Sequence, residues 1–254
     1  MNSLYRKIAE IESSNEKAAL CTIIGTQGSS PRKTGAKMLV GIKGRIEGTI
    51  GGGSLEKAVI AQAIEVLESN TPVRVKHNLV TDLAMCCGGT VELFIEPVMN
   101  KKKLYIFGAG HIGKALAGFA QDLDFNVTLI DERYDAFDDL KNSDAALKQE
   151  HHNAAIEQLE FDNQTSVVIL THNHAYDREI LALTSRKPHC YIGMIGSERK
   201  VLVARKNLVS SGLMNEEEIN AIDMPIGIDI EAITPQEIAI SILAKLIDVR
   251  NRKK

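Results

Sequence analysis

Leu104-Tyr105-Ile106-Phe107-Gly108-Ala109-Gly110-His111-Ile112-Gly113-Lys114-Ala115-Leu116-Ala117 is the stretch that decides the fold. A short apolar run suited to a buried strand passes directly into a GxGxxG spacing and then into a helix-forming segment. Each glycine there has a mechanical task. Gly108 makes the tight turn, Gly110 lets a pyrophosphate approach the backbone, and Gly113 lets the helix pack closely on the strand, while the helix N-terminus directs its amides at the anion. Asp131 ends the next apolar strand, Val127-Thr128-Leu129-Ile130, at roughly the 20-residue spacing from which a carboxylate accepts a ribose hydroxyl pair. Gly108, Gly110, Gly113 and Asp131 are therefore the first candidate ligand contacts. A Rossmann sheet whose nucleotide site is disused carries the same pattern, because a fold does not fix a function.

Downstream the alternation continues. Strands are predicted near 103–107, 126–131, 166–171 and 190–194, and helices near 111–122, 176–186 and 197–211, which means right-handed βαβ units in a parallel sheet. Thr234-Pro235-Gln236-Glu237 joins a capping box to a proline at the first helical position and predicts a last helix over 235–249. Upstream the order differs. Leu4, Ile8 and Ile11 predict an amphipathic helix over 3–15, followed by strands at 18–25, 37–42 and 45–50. Gly51-Gly52-Gly53-Ser54 then opens a helix with Leu55, Val59, Ala63 and Val66 on one face, its cap expected at Ser54. Strands near 72–80 and 90–96 follow, and a proline with a polar, basic stretch over 97–103 marks the break. The fold class is α/β, with a small N-terminal α/β domain over 1–98 and a Rossmann-like parallel-sheet domain over 99–254.

Two domains suit a chain of 254 residues, and 44% hydrophobic with 25% charged residues is an ordinary globular composition. Thirty basic against thirty-three acidic residues leave −3, no electrostatic footprint for nucleic acid or an anionic membrane. The run Lys101-Lys102-Lys103 and the tail from Arg250 to Lys254 read as solvated ends. The start lacks an apolar signal core and no stretch is long enough to span a bilayer, so a cytoplasmic location is expected. The cysteines at 21, 86, 87 and 190 fit a reduced compartment, because neighbouring Cα atoms about 3.8 Å apart fall short of the roughly 4.4–6.8 Å of disulfides.

Further candidate contacts lie outside the GxGxxG loop. Gly48-Thr49-Ile50-Gly51-Gly52-Gly53-Ser54 leads from strand to helix, and the amides of Gly51, Gly52 and Gly53 suit an anionic group; a tight turn would look the same, and without a terminal lysine-serine or lysine-threonine it is not a P-loop. Gly28-Ser29-Ser30-Pro31-Arg32 offers the Arg32 guanidinium for bidentate phosphate or carboxylate contacts. Cys86-Cys87-Gly88-Gly89 places two thiols beside small residues, either as a soft-ligand site or as inert packing; zinc fits poorly because no second cysteine pair completes a tetrahedral set. His172, His174 and Asp177 follow a strand at the carboxyl edge, where they could ligate a metal, move protons, or only brace the loop and cap the helix. Gly196-Ser197-Glu198-Arg199-Lys200 repeats the strand-to-helix theme and could add amides and a cation, or only a cap.

Taken in order, Gly28-Ser29-Ser30-Pro31-Arg32, Gly35-Ala36-Lys37-Met38, Gly48 to Glu56, and Cys87-Gly88-Gly89 up to Ile95-Glu96-Pro97 resemble the N-terminal signatures of the xanthine dehydrogenase accessory factor (XdhC/CoxI) family. Gly108-Ala109-Gly110-His111, Thr171 to Asp177, Gly193-Met194-Ile195-Gly196-Ser197, and Pro225-Ile226-Gly227 up to Thr234-Pro235 extend the similarity over nearly the whole chain. The resemblance implies a factor that binds the molybdenum cofactor, as molybdopterin or its dinucleotide form. It would hold that cofactor while a cysteine desulfurase replaces an oxo ligand by sulfide, then deliver it to a molybdenum hydroxylase such as xanthine dehydrogenase. No turnover is needed for that role, and a homodimer is the expected assembly. Cys87, or Cys86, would then contact molybdenum or its sulfur beside Gly88, with the glycine loops and Arg32 on phosphate. The alternatives are an NAD-dependent oxidoreductase with His172 or His174 as acid-base group, and a nucleotide-sensing module. NAD is preferred to NADP, whose 2′-phosphate would meet the Asp131 carboxylate.

Overall fold

The computed structural model describes residues 2–12, 14, 16–83, 88–98, 101–140 and 145–252. The chain divides into two compact units, Met1–Lys101 and Lys102–Lys254. The first contains α1 (Asn2–Glu12), β1 (Ala18–Gln27), β2 (Lys37–Gly41), β3 (Gly44–Gly48), α2 (Gly53–Ser69), β4 (Val73–Asn78) and β5 (Thr90–Pro97). Its strands form an antiparallel sheet in the order β3-β2-β1-β5-β4. The two-residue period of β1 sets the layers: Ala19, Cys21 and Ile23 pack against Leu55, Val59, Ala63 and Val66 of α2, while Leu20 packs with Leu4, Ile8 and Ile11 of α1. Each fully buried large aliphatic side chain among these contributes about 1.5–3 kcal/mol.

The start of α2 departs from expectation. Gly52 is the N-cap, in a conformation with φ 80°, no side chain caps the helix, and Ser54 lies inside its first turn. A positive φ at the cap is the province of glycine, so the chain gives up a hydroxyl cap to let the loop turn there.

The second unit contains β6 (Lys102–Phe107), α3 (His111–Gln121), β7 (Phe125–Ile130), a 3-10 turn at Asp138–Leu140, β8 (Ala146–Lys148), α4 (His152–Gln158), β9 (Ser166–Ile169), α5 (His174–Thr184), β10 (Tyr191–Met194), α6 (Glu198–Ser210), α7 (Glu216–Asn220) and α8 (Pro235–Arg252). Its sheet is parallel, in the order β10-β9-β6-β7-β8. Successive β6 residues go to opposite faces: Leu104 and Ile106 pack with α3 and α8 through Leu116 and Ile242, whereas Tyr105 and Phe107 pack with α4, α5 and α6 through Ile156, Ile180 and Leu208. The chain runs outward from β6 to β8 and returns to β9 on the other side of β6. That reversal is the topological switch point, beyond whose carboxyl ends open α/β sheets bind ligands. The capping box of α8 forms as expected: the Glu237 carboxylate accepts from the amides of Ile233 and Thr234 at 2.8 and 2.9 Å, and the Glu237 amide donates to Thr234 Oγ1 at 3.3 Å.

Lys103 is not a solvated linker residue. It belongs to β6, and its Nζ pairs with the carboxylates of Glu160 and Asp162 at 3.3 and 3.5 Å. Arg250 is engaged as well, its guanidinium donating to Leu123 O at 2.6 Å. Among the described residues no helix is long and apolar enough to cross a membrane.

Gly113 and Gly110 separate packing from access. A Cβ on Gly113 would collide with the Gly108 carbonyl oxygen, whereas one on Gly110 would meet no atom within 4 Å. Gly113→Ala is therefore expected to lower stability by about 1–3 kcal/mol, the cost of overpacking. Gly110→Ala should lose less than about 1 kcal/mol, the N-cap preference for glycine over alanine. Urea unfolding of both variants checks the ranking, and equal losses would contradict it.

Candidate functional site

At the end of β6 the Gly108 amide donates to Ile130 O at 2.8 Å and the Ala109 amide donates to Asp131 Oδ2 at 2.8 Å. Gly110 is the N-cap of α3 at φ −74°, and no side chain caps that helix. An uncapped N-terminus leaves amides and the positive end of the helix dipole for an anion. The glycine at 110 is explained neither by its backbone angle, which any residue adopts, nor by a neighbour that a side chain would strike. Close approach of a ligand does explain it.

Asp131 does more than the sequence suggests. Oδ1 accepts from the Arg133 amide at 3.1 Å and from Arg133 Nε at 2.9 Å, while Oδ2 accepts from Arg133 Nη2 at 2.8 Å and from Ala109. The carboxylate thus ties the glycine loop to the end of β7, and a ribose would reach it only by displacing the guanidinium. Burial alone would raise its pKa, but the Arg133 hydrogen bonds, the two amides and the Arg133 charge together hold it below the ordinary carboxylate range.

Beyond Gly108 and Asp131 lies a cavity of about 20 Å³, room for little more than a water, walled by His152, His172 and Tyr176. The Tyr176 ring sits 4.9 Å from that of His152, 5.7 Å from that of His151 and 6.0 Å from that of His172. His152 is buried, with Nε2 3.1 Å from Glu179 Oε2, within ion-pair distance but misaligned for a hydrogen bond. Sequence reasoning passed over His151 and His152, although adjacent histidines just past a sheet edge were the available signal.

His172 and His174 do not converge as metal ligands. His172 lines the small cavity, whereas His174 lines a second and larger one, with its Nδ1 on Asp177 Oδ2 at 3.0 Å. His172 precedes the N-cap Asn173 while His174 opens α5, so the turn into the helix separates them, and Asp177 is committed to Thr171 as well, accepting from its hydroxyl at 2.6 Å and its amide at 3.1 Å. Among the described residues no group of three or more His, Cys, Asp or Glu side chains is placed to hold a metal ion.

In the first unit three sequence motifs come together. A Cβ on Gly89 would strike the carbonyl oxygen of Ser29, and one on Gly51 would lie 2.5 Å from Pro31 Cβ. The 28–32 loop is therefore wedged between the 48–53 loop and Gly88-Gly89, with Arg32 exposed. Gly88, like Gly110, has nothing within 4 Å of a Cβ position. Gly51, Gly52 and Gly53 all carry positive φ, so their sequence is a conformational demand as well as an accessible backbone. Glu56 organises this loop, accepting from Thr49 Oγ1 at 2.5 Å and Ile50 N at 3.1 Å and pairing with Arg45 at 3.5 Å. That role was missed, although an acidic residue in the first turn behind a glycine loop is a visible signal.

Cys86 and Cys87, the expected soft contacts, lie outside the described residues. Cys21 is buried, and burial pushes its thiol pKa up to about 12, which makes it inert at neutral pH. Cys190 is partly exposed, with Sγ 3.3 Å from Ser166 Oγ and 3.4 Å from Gln164 O.

Comparison with known proteins places the chain in a family. The XdhC Rossmann domain matches residues 104–246 and the XdhC and CoxI family matches residues 12–78, so the chain belongs to the XdhC family. It is 34% identical over 255 residues to the uncharacterized protein YqeB of Escherichia coli strain K12, covering 98% of this chain and 46% of that protein. It is 28% identical over 165 residues to a probable xanthine dehydrogenase subunit from Bacillus subtilis strain 168, covering 64% of this chain and 47% of that one. The chain thus spans about half the length of these two relatives. It is also 24% identical over 281 residues to the molybdenum cofactor insertion chaperone PaoD of Escherichia coli strain K12, covering 98% and 88%. A crystal structure described as a xanthine dehydrogenase from Bacillus halodurans shares the fold, with TM-score 0.54, 23% identity, and 99% and 96% coverage of the two chains.

The Asp131 tether gives a pH test. Because the folded-state pKa is depressed, its stabilisation is fully present above the unfolded pKa of about 3.9 and is lost as pH falls through the folded value. Asp131→Asn is expected to cost about 1.5–3 kcal/mol at pH 7, the range for hydrogen bonds to a charged group. The two proteins should converge below about pH 3.9. Urea unfolding across pH checks this, and a variant offset that stays constant with pH would contradict it.

Proposed function

We propose that this chain is an accessory factor that binds the molybdenum cofactor and inserts it into a molybdenum hydroxylase of the xanthine dehydrogenase type, supporting its sulfuration by a cysteine desulfurase. The observation that carries this reading is Gly110: a glycine at an uncapped helix N-terminus, free of any conformational or packing need for glycine, in a chain of the XdhC family. The name of PaoD, a molybdenum cofactor insertion chaperone, supports the same role. Cofactor residence in the cytoplasm, on a homodimer, belongs to this reading.

The chain's own residues would bind and orient. Gly108, Gly110 and Gly113, with the first turn of α3, would receive the phosphate groups of a pterin dinucleotide, and Asp131 would keep that loop in place. In the first unit Arg32, the amides over 51–53 and the open side of Gly88 would meet phosphate or the pterin edge, with Cys87 or Cys86 as the soft contact. When bound, the cofactor supplies the molybdenum centre whose oxo ligand is exchanged for sulfide. NAD is the competing occupant of the same glycine loop.

Gly110→Val places a branched side chain where the pyrophosphate would lie. Calorimetric titration with NAD and with the cytosine dinucleotide form of the cofactor should show at least a tenfold loss for whichever binds the wild type, about 1.4 kcal/mol. Preferred binding of the pterin dinucleotide supports the proposal. Binding of NAD alone, or an affinity unchanged by the substitution, contradicts it. In parallel, Cys86→Ser with Cys87→Ser should lower molybdenum retention and rescue of a cofactor-free hydroxylase without loss of fold, since a hydroxyl is a harder and far less acidic ligand. Full retention and full rescue would remove the thiols from the site.

A further inference from the structure

The larger cavity of the second unit is not used by the glycine loop. It has a volume of about 490 Å³, within the 300–1,000 Å³ of small-molecule clefts, against the single-water space beside Asp131. It opens between α5 and α6, at the carboxyl end of β10. Its wall has two chemistries. Met194, Ile195, Val203 and Ala204 are apolar, whereas Arg178, Arg199 and Lys200 are cationic beside the His174 imidazole; the carboxylate of the wall, Asp177, is already engaged by Thr171 and His174. The Arg178, Arg199 and Lys200 side chains enter no ion pair or side-chain hydrogen bond among the described residues. No side chain caps α6 at Ser197, another residue of the wall, so the first-turn amides of this 13-residue helix face the same region as the cations.

His174 is held rather than loose. Asp177, 1% exposed, accepts from Thr171 and lies 3.0 Å from His174 Nδ1. A carboxylate only accepts, so Nδ1 carries the hydrogen and Nε2 is the atom left for a ligand. Three cations without side-chain partners among the described residues, an oriented imidazole and an uncapped helix terminus call for an anion bearing more than one charge. The adjoining apolar wall calls for an organic body attached to it.

We infer that this cavity binds a small phosphomonoester, with the phosphate among His174, Arg199, Lys200 and the α6 terminus and the organic part on Met194, Ile195 and Val203. The inference is independent of cofactor insertion, since it requires neither the glycine loop nor the first unit.

The test is calorimetric titration of the full chain with adenosine 5′-monophosphate, inorganic phosphate and adenosine. The monophosphate should bind at least tenfold more tightly than either fragment. Arg199→Ala with Lys200→Ala should weaken it at least tenfold and His174→Ala about threefold, with circular dichroism and melting temperature unchanged. Gly110→Val should leave it unaltered, because a nucleotide seated in the glycine loop would respond to that variant and not to the other two. Absence of binding, equal binding of adenosine, insensitivity to the double substitution or loss in Gly110→Val would each overturn the assignment. Should a substitution disturb folding, Lys200→Glu provides the second variant: reversal of an exposed charge must weaken the monophosphate and leave adenosine unchanged. Loss of pterin dinucleotide binding in Gly110→Val tests the insertion role separately, so the two proposals fail independently.

Discussion

The backbone crossing at Gly108 is the constraint on which the second unit depends. Gly108 has φ 113°, a Cβ there would strike the Leu170 carbonyl, and its own oxygen occupies the space a Cβ on Gly113 would need. Its amide is bonded to the end of β7 and the next amide to Asp131. The ends of β6, β7 and β9 and the first turn of α3 are thereby fixed within one dipeptide. The residues of the carboxyl edge, from Asp131 to the 171–177 segment, inherit their positions from that crossing.

The glycines consequently divide by physical cause. Gly108, Gly113 and Gly89 are required by protein atoms that leave no room for a side chain. Gly51, Gly52 and Gly53 are required by backbone angles. Gly110 and Gly88 are required by neither; Gly118, inside α3, is open as well, but Gly110 and Gly88 stand in segments that the sequence singled out as candidate ligand contacts. The same distinction turns a motif that is weak as a pattern into an argument about space, because the open side of a glycine is a property of the fold and not of the spacing.

Much of the architecture was legible because the apolar periodicities are long and clean: β6, β7 and β10 as buried runs, α2 through Leu55, Val59, Ala63 and Val66, and α8 through its capping box. The misses have a common origin in brevity. β8 spans Ala146–Lys148, α4 spans His152–Gln158 and α7 spans Glu216–Asn220, each too short to display a period of two or 3.6 residues. The edge strand β8 and the two short helices are set by tertiary packing on a sheet already formed. The glycine loops of the candidate site were legible as strand-to-helix turns, and its side-chain pairs were less so. Nothing in the spacing of Asp131 and Arg133 distinguishes a ribose acceptor from a carboxylate clamped by its neighbour. Likewise, His172 and His174 look like a ligand pair until the turn into α5 sends them to different cavities. Glu56 was quoted as part of a motif, yet its work of holding Thr49 and Ile50 appears only once the loop folds back over the helix start.

A glycine loop that serves a molybdenum-bearing pterin, as proposed above, differs from one that serves a redox nucleotide in what it carries out of the cell. The most direct measurement is the molybdenum and pterin content of the full chain isolated from cells that make the cofactor, by elemental analysis and by fluorescence of the oxidised pterin. Molybdenum and pterin are expected to co-purify in equal amounts and to be released together when a cofactor-free hydroxylase is added. A chain that carries NAD, or neither metal nor pterin, from the same cells would contradict the proposal.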